Sequence, residues 1–223
     1  MEKILTSRKL INLMDEKIAE FIGIMLGDGN LGRYKSKVGD KIKIQHRIRI
    51  SLDSRNKNYI QYVIQLIKDV LEVEPKIHYK KNENVADVRI YRKDKFFWLK
   101  DEIGLNESPK WNKMEIPKKY SKGKSSLPIL RGLFDTDGCL SIFNNNGLLY
   151  PRIEIKICPS PTQKQIIEML NEFGFNYRIQ YLDKCKIRIR ISGVKELKKW
   201  FKLIGSSNKI HIEKAKKFLK KVL

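Results

Sequence analysis

The sequence has few cysteines and no long apolar run, and these two absences exclude broad classes of protein. Its three cysteines, Cys139, Cys158 and Cys185, are odd in number and show no Cys-x-x-Cys spacing, so they predict neither a disulfide framework nor a zinc site. We interpret them as free thiols in apolar surroundings. No apolar stretch approaches the roughly 20 residues that a membrane-spanning helix requires, and the N-terminus lacks the uncharged run of a signal peptide. We therefore expect a soluble, intracellular protein with no membrane partner, whether its compartment is cytoplasm, nucleoid, chloroplast or mitochondrion.

Acidic residues are also scarce relative to basic ones. The 223-residue chain carries 47 Lys and Arg against 25 Asp and Glu, which is a formal net charge of +22. A charge of this size repels itself in a compact fold, and the usual physical reason to tolerate it is a polyanionic partner such as nucleic acid. Hydrophobic residues make up 41% of the chain, enough to form a core, which excludes a disordered basic tail.

The chain contains one internal repeat. The segment FIGIMLGDG at 21–29 has a counterpart in LRGLFDTDG at 130–138, and Asp137 follows Asp28 by 109 residues. Each copy is followed by an alternating strand, an amphipathic helix, two short strands and a helix that ends in Ile-Gly. We predict a mixed α/β fold of two pseudo-symmetric domains, 1–114 and 127–223, each in the order helix–strand–strand–helix–strand–strand–helix. The segment 115–126, rich in Pro, Gly, Ser and Lys, predicts a linker between them.

Each repeat motif predicts a helix that is apolar on nearly all sides and therefore buried. Small residues lie four apart on both helices, Gly23 with Gly27 and Gly132 with Thr136. Glycine inside a helix costs about 1 kcal/mol relative to alanine, and close approach of two backbones offsets that cost. We therefore predict that the two motif helices pack against each other at the interface between the domains. Asp15 is the predicted N-cap of the first helix.

Asp28 and Asp137 fall in the last turn of these predicted helices, where the partial negative charge of the helix terminus disfavours a carboxylate. Two such carboxylates on paired helices also repel each other. A divalent cation relieves both effects, and one or two carboxylates with water and phosphate oxygens describe a Mg²⁺ site. The candidate ligands are these two residues with the preceding Gly27 and Thr136. The alternative is that Asp-Gly only ends a helix, which two matched copies make less favoured.

Alternating segments predict strands with one basic face. Between Lys41 and Leu52, isoleucines such as Ile42 and Ile44 alternate with Lys, Arg and Gln, and RIEIKI and KIRIRIS repeat the pattern in the second copy. The isoleucines should pack on helices, while the polar faces of two sheets should form a duplex-sized saddle beside the carboxylates. RNA stays open as an alternative partner, although the deep, narrow major groove of A-form RNA would not admit the sheets. The candidate DNA-binding residues are Arg33, Lys41, Lys43, Gln45, Arg47, Arg49, Lys76, His78, Lys80, Arg89, Arg152, Glu154, Lys156, Arg178, Gln180, Lys186, Arg188 and Arg190.

These features together resemble the LAGLIDADG homing endonucleases, specifically the single-chain type with two copies of the motif. The resemblance covers essentially the whole chain, from FIGIMLGDG to GSSNKIHIEKAKKFLKK. It implies a pseudo-dimeric αββαββα fold with antiparallel sheets, acting as a monomer that cuts both strands of duplex DNA across the minor groove and leaves short 3′ overhangs. It also implies Mg²⁺ bound by the acidic residue at the eighth motif position of each copy, here Asp28 and Asp137.

The resemblance further implies a catalytic lysine beyond the last helix of each copy. The corresponding residues are Lys110 in SPKW and Lys209 in SNKI. Relatives also carry a Gln or Lys just past the first long strand, and here the nearest positions, Leu52–Asp53 and Pro159–Ser160, do not match it.

The sequence therefore predicts a Mg²⁺-dependent, site-specific double-strand DNA endonuclease encoded in an intron. One alternative is the same fold without nuclease activity, as a maturase bound to intron RNA or as a DNA-binding regulator. Another is a basic structural protein of the ribosome or nucleoid, which would explain the charge but not the paired carboxylates. An intein origin is disfavoured, because the chain begins at Met1 and ends in KKFLKKVL without residues suited to protein splicing.

Overall fold

A computed structural model describes residues 2–222, with side chains described for all of these except 2–11, 38, 145 and 222. The chain folds in two halves with the same order of elements, to which the second half adds one C-terminal helix. The first half comprises α1 (Glu2–Gly27), β1 (Gly29–Val38), β2 (Lys41–Asp53), α2 (Lys57–Leu71), β3 (Lys76–Tyr79), β4 (Val85–Ile90) and α3 (Lys93–Phe97), which a π-helical turn at Trp98–Glu102 extends. The second half comprises α4 (Ser126–Asp137), β5 (Gly138–Asn145), β6 (Leu148–Ile157), α5 (Thr162–Glu172), β7 (Tyr177–Tyr181), β8 (Ile187–Ser192), α6 (Val194–Leu203) and α7 (Lys209–Val222).

Each half contains one four-stranded antiparallel sheet. The strand orders are β1-β2-β4-β3 and β5-β6-β8-β7, so the two sheets have the same topology. Their registers also correspond, because Gly29, the last residue of the first motif, pairs with Ile50, and Gly138, the last residue of the second, pairs with Ile155. The predicted mixed α/β fold with two antiparallel sheets is confirmed.

One face of each sheet is buried beneath the helices. Ile48, Ile50 and Leu52 are buried on β2, as the alternation predicts, and the isoleucines of β6 and β8 are buried in the same way. The prediction is wrong for Ile42 and Ile44, which are 70% and 53% exposed. The β1–β2 hairpin extends past the helices, so residues 41–45 of β2 are exposed on both faces.

Helix α1 begins earlier than the sequence predicts. It runs from Glu2, so Asp15 lies inside the helix and does not cap it. No proline or glycine interrupts residues 2–22, and the helix therefore has no intrinsic stop before Asp15. The Asp15 carboxylate instead accepts a hydrogen bond from Lys119 Nζ at 3.2 Å.

The segment between the two halves packs closely against the second one. Ile116 and Tyr120 are buried, and Gln165 of α5 bonds both the backbone N–H and the carbonyl of Ile116 at 2.8 Å. Short 3-10 turns occur at Lys118–Tyr120 and Gly123–Ser125. The composition that predicts a linker therefore corresponds to an ordered connection with its own buried anchors.

The cysteines do not share the apolar surroundings that the sequence predicts. Cys139 and Cys185 are exposed, and Cys158 is partly buried. Cys139 lies opposite Glu154 on the solvent face of its sheet, and Cys185 lies in the turn before β8. Among residues 2–222, no helix is both long enough and apolar enough to span a membrane.

The two motif helices pack directly against each other. A Cβ atom added to Gly23 would overlap the backbone of Ile129, and one added to Gly132 would overlap the carbonyl of Glu20. At the C-terminal end of the pair, a Cβ on Gly27 would overlap the side chain of Thr136. The helix backbones thus lie in contact at these small residues, and the C-termini of the two helices lie side by side.

Substitution of Gly23 or Gly132 by alanine should destabilise the protein. The added methyl group would force the backbones apart, and overpacking of this kind costs about 1–3 kcal/mol, more than the roughly 1 kcal/mol gained in helix propensity. Chemical denaturation of each variant measures the change. Alanine at the exposed Asn12 of the same helix is the control and should be neutral or slightly stabilising. Unchanged stability of both glycine variants would contradict the close contact.

Candidate active site

The packing of α1 on α4 brings Asp28 and Asp137 together. Asp28 directly follows α1, and Asp137 is the last residue of α4. Burial, together with the negative charge of Asp137, raises the pKa of Asp28 to about 6. Burial also raises the pKa of Asp137, and the positive charges of Lys110 and Lys156 partly oppose that rise. The molecule therefore holds two carboxylates where ionisation of both is unfavourable.

Lys110 lies at the same point. Its Nζ donates a hydrogen bond to the Leu26 carbonyl at 2.9 Å and another to the carbonyl of Gly27, so its charge sits at the negative end of α1. Burial lowers the pKa of Lys110 to about 8, although both aspartates favour its charged form. The structure thus brings together this lysine and both predicted acids.

The second half has asparagine where the first half has this lysine. The Asp135 carbonyl is the counterpart of the Leu26 carbonyl in the repeat, and it accepts a hydrogen bond from Asn208 Nδ2 at 3.4 Å. Lys209 is exposed at the first residue of α7, and the cations that act on the aspartates are Lys110 and Lys156. The structure therefore does not place Lys209 at the acids. Matching SPK with SNK by residue type selects a lysine one position past the structural counterpart.

The motif helices carry a set of buried charges that sequence reasoning missed. Glu20 on α1 accepts hydrogen bonds from Arg131 of α4 at 3.0 Å, Tyr62 at 2.8 Å and Ser207 at 2.5 Å. The buried Asp135 carboxylate accepts the backbone N–H of Ser207 at 2.6 Å. These contacts fasten the segment before α7 to both helices. The available signal was the presence of Glu20, Arg131 and Asp135 within the apolar motif segments of the two helices.

The strand residues beside the acids differ between the halves. The Ser51 backbone N–H donates to the Asp28 carbonyl at 3.2 Å, and the Ser51 hydroxyl donates to Asp87 on β4 at 2.7 Å. Register places Lys156 and Arg188 at the equivalent positions in the second half. The first half thus has Ser51 and Asp87 where the second half has two cations. Burial alone would raise the pKa of Asp87, but hydrogen bonds from Arg89 and Ser51 and the charge of Arg49 outweigh burial and lower it.

Most predicted DNA-binding residues lie on one face of each sheet. Cross-strand pairs place Arg49 opposite Arg89, Lys76 opposite Arg89, and His78 opposite Asp87 in the first sheet. In the second sheet Glu154 lies opposite Arg190, and Arg178 and Gln180 lie opposite Arg190 and Arg188. We call this surface the basic face, and it comprises Lys41, Lys43, Gln45, Arg47, Arg49, Lys76, His78, Arg89, Arg152, Glu154, Lys156, Arg178, Gln180, Arg188 and Arg190.

Three other predicted residues lie outside these strands or on the opposite face. Arg33 pairs across the sheet with His46, so it lies on the face opposite Arg47, and its Nε donates to Glu107 at 2.8 Å. It is therefore excluded from the basic face, because alternation along β1 directs its side chain away. Lys80 follows β3 and bonds Glu83 at 3.0 Å. Lys186 precedes β8, with Nζ 5.4 Å from the centre of the Trp111 ring.

The charged oxygen ligands available to a cation at the helix ends are the two aspartates. The Gly27 carbonyl already accepts a hydrogen bond from Lys110, and the Thr136 hydroxyl donates within its own helix to Gly132 at 2.9 Å. No group of three or more His, Cys, Asp or Glu suited to a metal occurs in the described part of the chain. Two carboxylates with water and phosphate oxygens suit Mg²⁺, which retains several non-protein ligands. Trp111 and Cys158, which sequence reasoning did not select, line the open cleft beside Asp28.

The sequence pattern of the LAGLIDADG DNA endonuclease family matches residues 19–199. The chain belongs to this family. The matched range includes both motifs, both aspartates, Lys110 and the strands of the basic face. The resemblance inferred from the two motifs is thereby confirmed.

Two curated proteins from Methanocaldococcus jannaschii are similar to this LAGLIDADG chain. A DNA polymerase is 30% identical over 186 residues, which are 76% of this chain and 10% of the polymerase. An uncharacterized protein is 24% identical over 184 residues, 82% of this chain and 63% of that protein. The chain thus spans less than two thirds of the length of either relative.

Solved LAGLIDADG endonucleases have the same fold. The structure of I-DmoI in complex with DNA and Mn has a TM-score of 0.60 at 19% identity, covering 86% of this chain and 97% of that one. Meganuclease I-SmaMI bound to uncleavable DNA has a TM-score of 0.63 at 10% identity, covering 91% and 87%. These similarities cover both halves of the chain, so the two-domain architecture is that of the family.

The charge on Asp28 should lower stability at neutral pH when no divalent cation is bound. Its pKa of about 6 lies above the ordinary value of 3.8, so the folded state binds the proton more tightly than the unfolded state does. The loss of stability caused by the charged carboxylate therefore reaches its full size above about pH 6. We expect Asp28→Asn to raise the free energy of unfolding at pH 7.5 by about 1–2 kcal/mol, with the gain vanishing as the pH falls toward 4.

Denaturation in EDTA across this pH range measures the effect. Asp69→Asn is the matched control, because the pKa of Asp69 is lowered by Lys17 and Gln65 and its neutralisation should reduce stability at neutral pH. A loss of stability in Asp28→Asn at pH 7.5 would contradict the unfavourable charge pair.

Proposed function

We propose that this LAGLIDADG chain is a site-specific double-strand DNA endonuclease that depends on Mg²⁺ and acts as a monomer. The observation that carries the proposal is the pair of carboxylates at the adjoining C-termini of α1 and α4, with one basic sheet face in each half of the chain. An endonuclease that cuts both strands needs one acid for each scissile phosphate, and the repeat supplies two.

The electrostatics of the acid pair support a bound divalent cation. Asp28 and Asp137 repel each other, and each lies at the negative end of a helix, so their charges are unfavourable without a counterion. Lys110 supplies only one positive charge to two acids. Asp28 and Asp137 would hold the cation, which supplies charge that activates water and neutralises the leaving 3′ oxygen.

Lys110 has a separate role in this proposal. With its Nζ held between the Leu26 and Gly27 carbonyls, it lies beside the acids at a fixed place, and its charge would stabilise the negative charge that develops on the phosphate. No side chain of this chain needs to act as the nucleophile. The lowered pKa of about 8 makes the protonated state of Lys110 sensitive to mildly alkaline pH.

The basic face would bind duplex DNA on both sides of the acids. Arginine can bridge guanine N7 and O6, and glutamine can pair with adenine, in the major groove that admits a β-sheet. Lys and Arg also neutralise phosphates, so affinity should fall steeply with salt. Residues 1–114 and 127–223 would each contact one half of the target. We also propose that the protein is encoded in an intron. A role in binding intron RNA gains no support from the contacts of the described residues or from the relatives.

Neutralising either acid should abolish double-strand cleavage and leave DNA binding intact. Wild type, Asp28→Asn, Asp137→Asn and the double variant are incubated with a randomised duplex library in Mg²⁺ or EDTA, and new ends are sequenced. We expect Mg²⁺-dependent double-strand breaks at discrete sites from the wild type and from none of the variants, because each acid serves one strand. Full double-strand cleavage by the double variant would refute the assignment.

Lys110→Met should reduce the cleavage rate by about 100-fold, because it removes charge stabilisation from the phosphate. Lys209→Met should leave the rate near wild type, because that side chain is exposed away from the acids. Single-turnover cleavage at saturating protein separates the rate from DNA affinity. Equal losses in the two variants would contradict the placement of only one lysine at the acids.

A further inference from the structure

The outer ends of the two sheets carry different chemistry. In the second sheet the β5–β6 hairpin presents three residues that we call the apolar patch: Phe143, Leu148 and Tyr150. Their exposed fractions are 42%, 77% and 45%. Together with Arg152 they line a shallow open cleft. Exposed apolar side chains gathered in one place usually mark a binding surface.

The apolar patch continues the basic face. Leu148 and Tyr150 alternate along β6 in step with Arg152, so all three lie on the same side of the strand. Phe143 lies opposite Tyr150 in the register, and the Arg152 guanidinium lies 4.4 Å from the centre of the Phe143 ring. The basic face therefore extends without a break onto the apolar patch.

The corresponding part of the first sheet begins in the same way. Tyr34 is the counterpart of Phe143, since each is the fifth residue after the glycine that starts its strand. Arg47 lies 3.8 Å from the centre of the Tyr34 ring, which matches the arginine–aromatic pair of the second sheet. Both sheets thus place an arginine against an aromatic ring at equivalent positions in the register.

Beyond that pair the two sheets diverge. Ile50 and Ile155 are equivalent, because each pairs with the glycine that starts the first strand of its sheet. Counting back from them, Gln45 occupies the position of Tyr150, and Lys43 occupies that of Leu148. Gln and Lys present hydrogen-bond donors to purine edges, whereas leucine and an aromatic ring favour contact with the C5 methyl group of thymine. Self-association through the patch is opposed by the adjacent Arg152 and by the net charge of +22 on each copy.

We propose that the apolar patch selects thymine at the outer positions of the half-site bound by the second sheet. Leu148 and Tyr150 would contact thymine methyl groups, and Phe143 would orient Arg152 beside them. Gln45 and Lys43 would instead select purines at the outer positions of the other half-site. This specificity rests on the proposed function, since it requires that the basic face bind duplex DNA.

The test uses the full-length chain carrying Asp28→Asn and Asp137→Asn, so that it binds without cutting. Bound duplexes are selected from a randomised library and sequenced, with this background alone and with Leu148→Ser plus Tyr150→Ser added. We expect the added substitutions to relax a thymine preference at one end of the site. Gln45→Ala plus Lys43→Ala should relax preferences at the opposite end only. Leu149→Ser is the matched control, because Leu149 is also exposed but lies on the other face of β6.

A second measurement isolates the methyl group. Replacing thymine by deoxyuridine at the identified positions should weaken binding by about fourfold per position, the effect of one buried methyl group. The Leu148→Ser, Tyr150→Ser protein should bind both duplexes equally. Circular dichroism and thermal melting verify that each variant is folded.

The outcomes separate this inference from the proposed function. No sequence-selective duplex binding by any folded protein would overturn both. Selective binding that is indifferent to deoxyuridine would overturn the thymine assignment and leave the endonuclease intact. If the substitutions abolish a concentration-dependent dimer in light scattering without altering base preference, the apolar patch is a self-association surface and the proposal is wrong.

Discussion

The contact between α1 and α4 is the constraint on which the rest of the structure depends. Because Gly23 and Gly132 have no Cβ, the two backbones meet directly, and the ends of the helices lie side by side. The same contact joins the cores of the two halves and brings together Asp28 and Asp137. A requirement of packing and a requirement of chemistry are therefore met by one pair of helices. This explains why residues that are unfavourable in helices, glycine inside and aspartate at the C-terminus, occur in both.

The repeat and the alternation of residue types made the outline of the fold predictable. The order of strands and helices that recurs after Asp28 and Asp137 was predictable from the sequence, and so was the burial of the isoleucines of β6 and β8. The errors arose where local sequence carries no information on tertiary context. The exposure of Ile42 depends on how far the hairpin extends past the helices, which alternation does not encode. Arg33 pairs with Glu107, 74 residues away along the chain, and no local pattern predicts that contact.

The site itself shows the same division. Acids in matched motifs are recognisable from sequence, because both the motif and the unfavourable charge are local. The counterpart of Lys110 is defined by a backbone carbonyl in three dimensions, and there the second half has Asn208. Glu20 and Arg131 were missed because their partners come from separate elements. Buried charges of this kind persist only when they are well hydrogen-bonded, and here Tyr62 and the segment before α7 supply bonds in addition to the Glu20–Arg131 pair.

Both halves of this molecule reside in one polypeptide, and that has a consequence for how its recognition can change over time. In an assembly of two identical subunits that binds DNA, any substitution alters both sides of the contact. The identity of the subunits also confines such an assembly to palindromic targets. Here Gln45 can mutate while Tyr150 stays, and Asp87 can differ from Arg188, as they already do. Under the proposed function, each half would therefore adapt separately to its own part of the DNA target, and the target need not be palindromic.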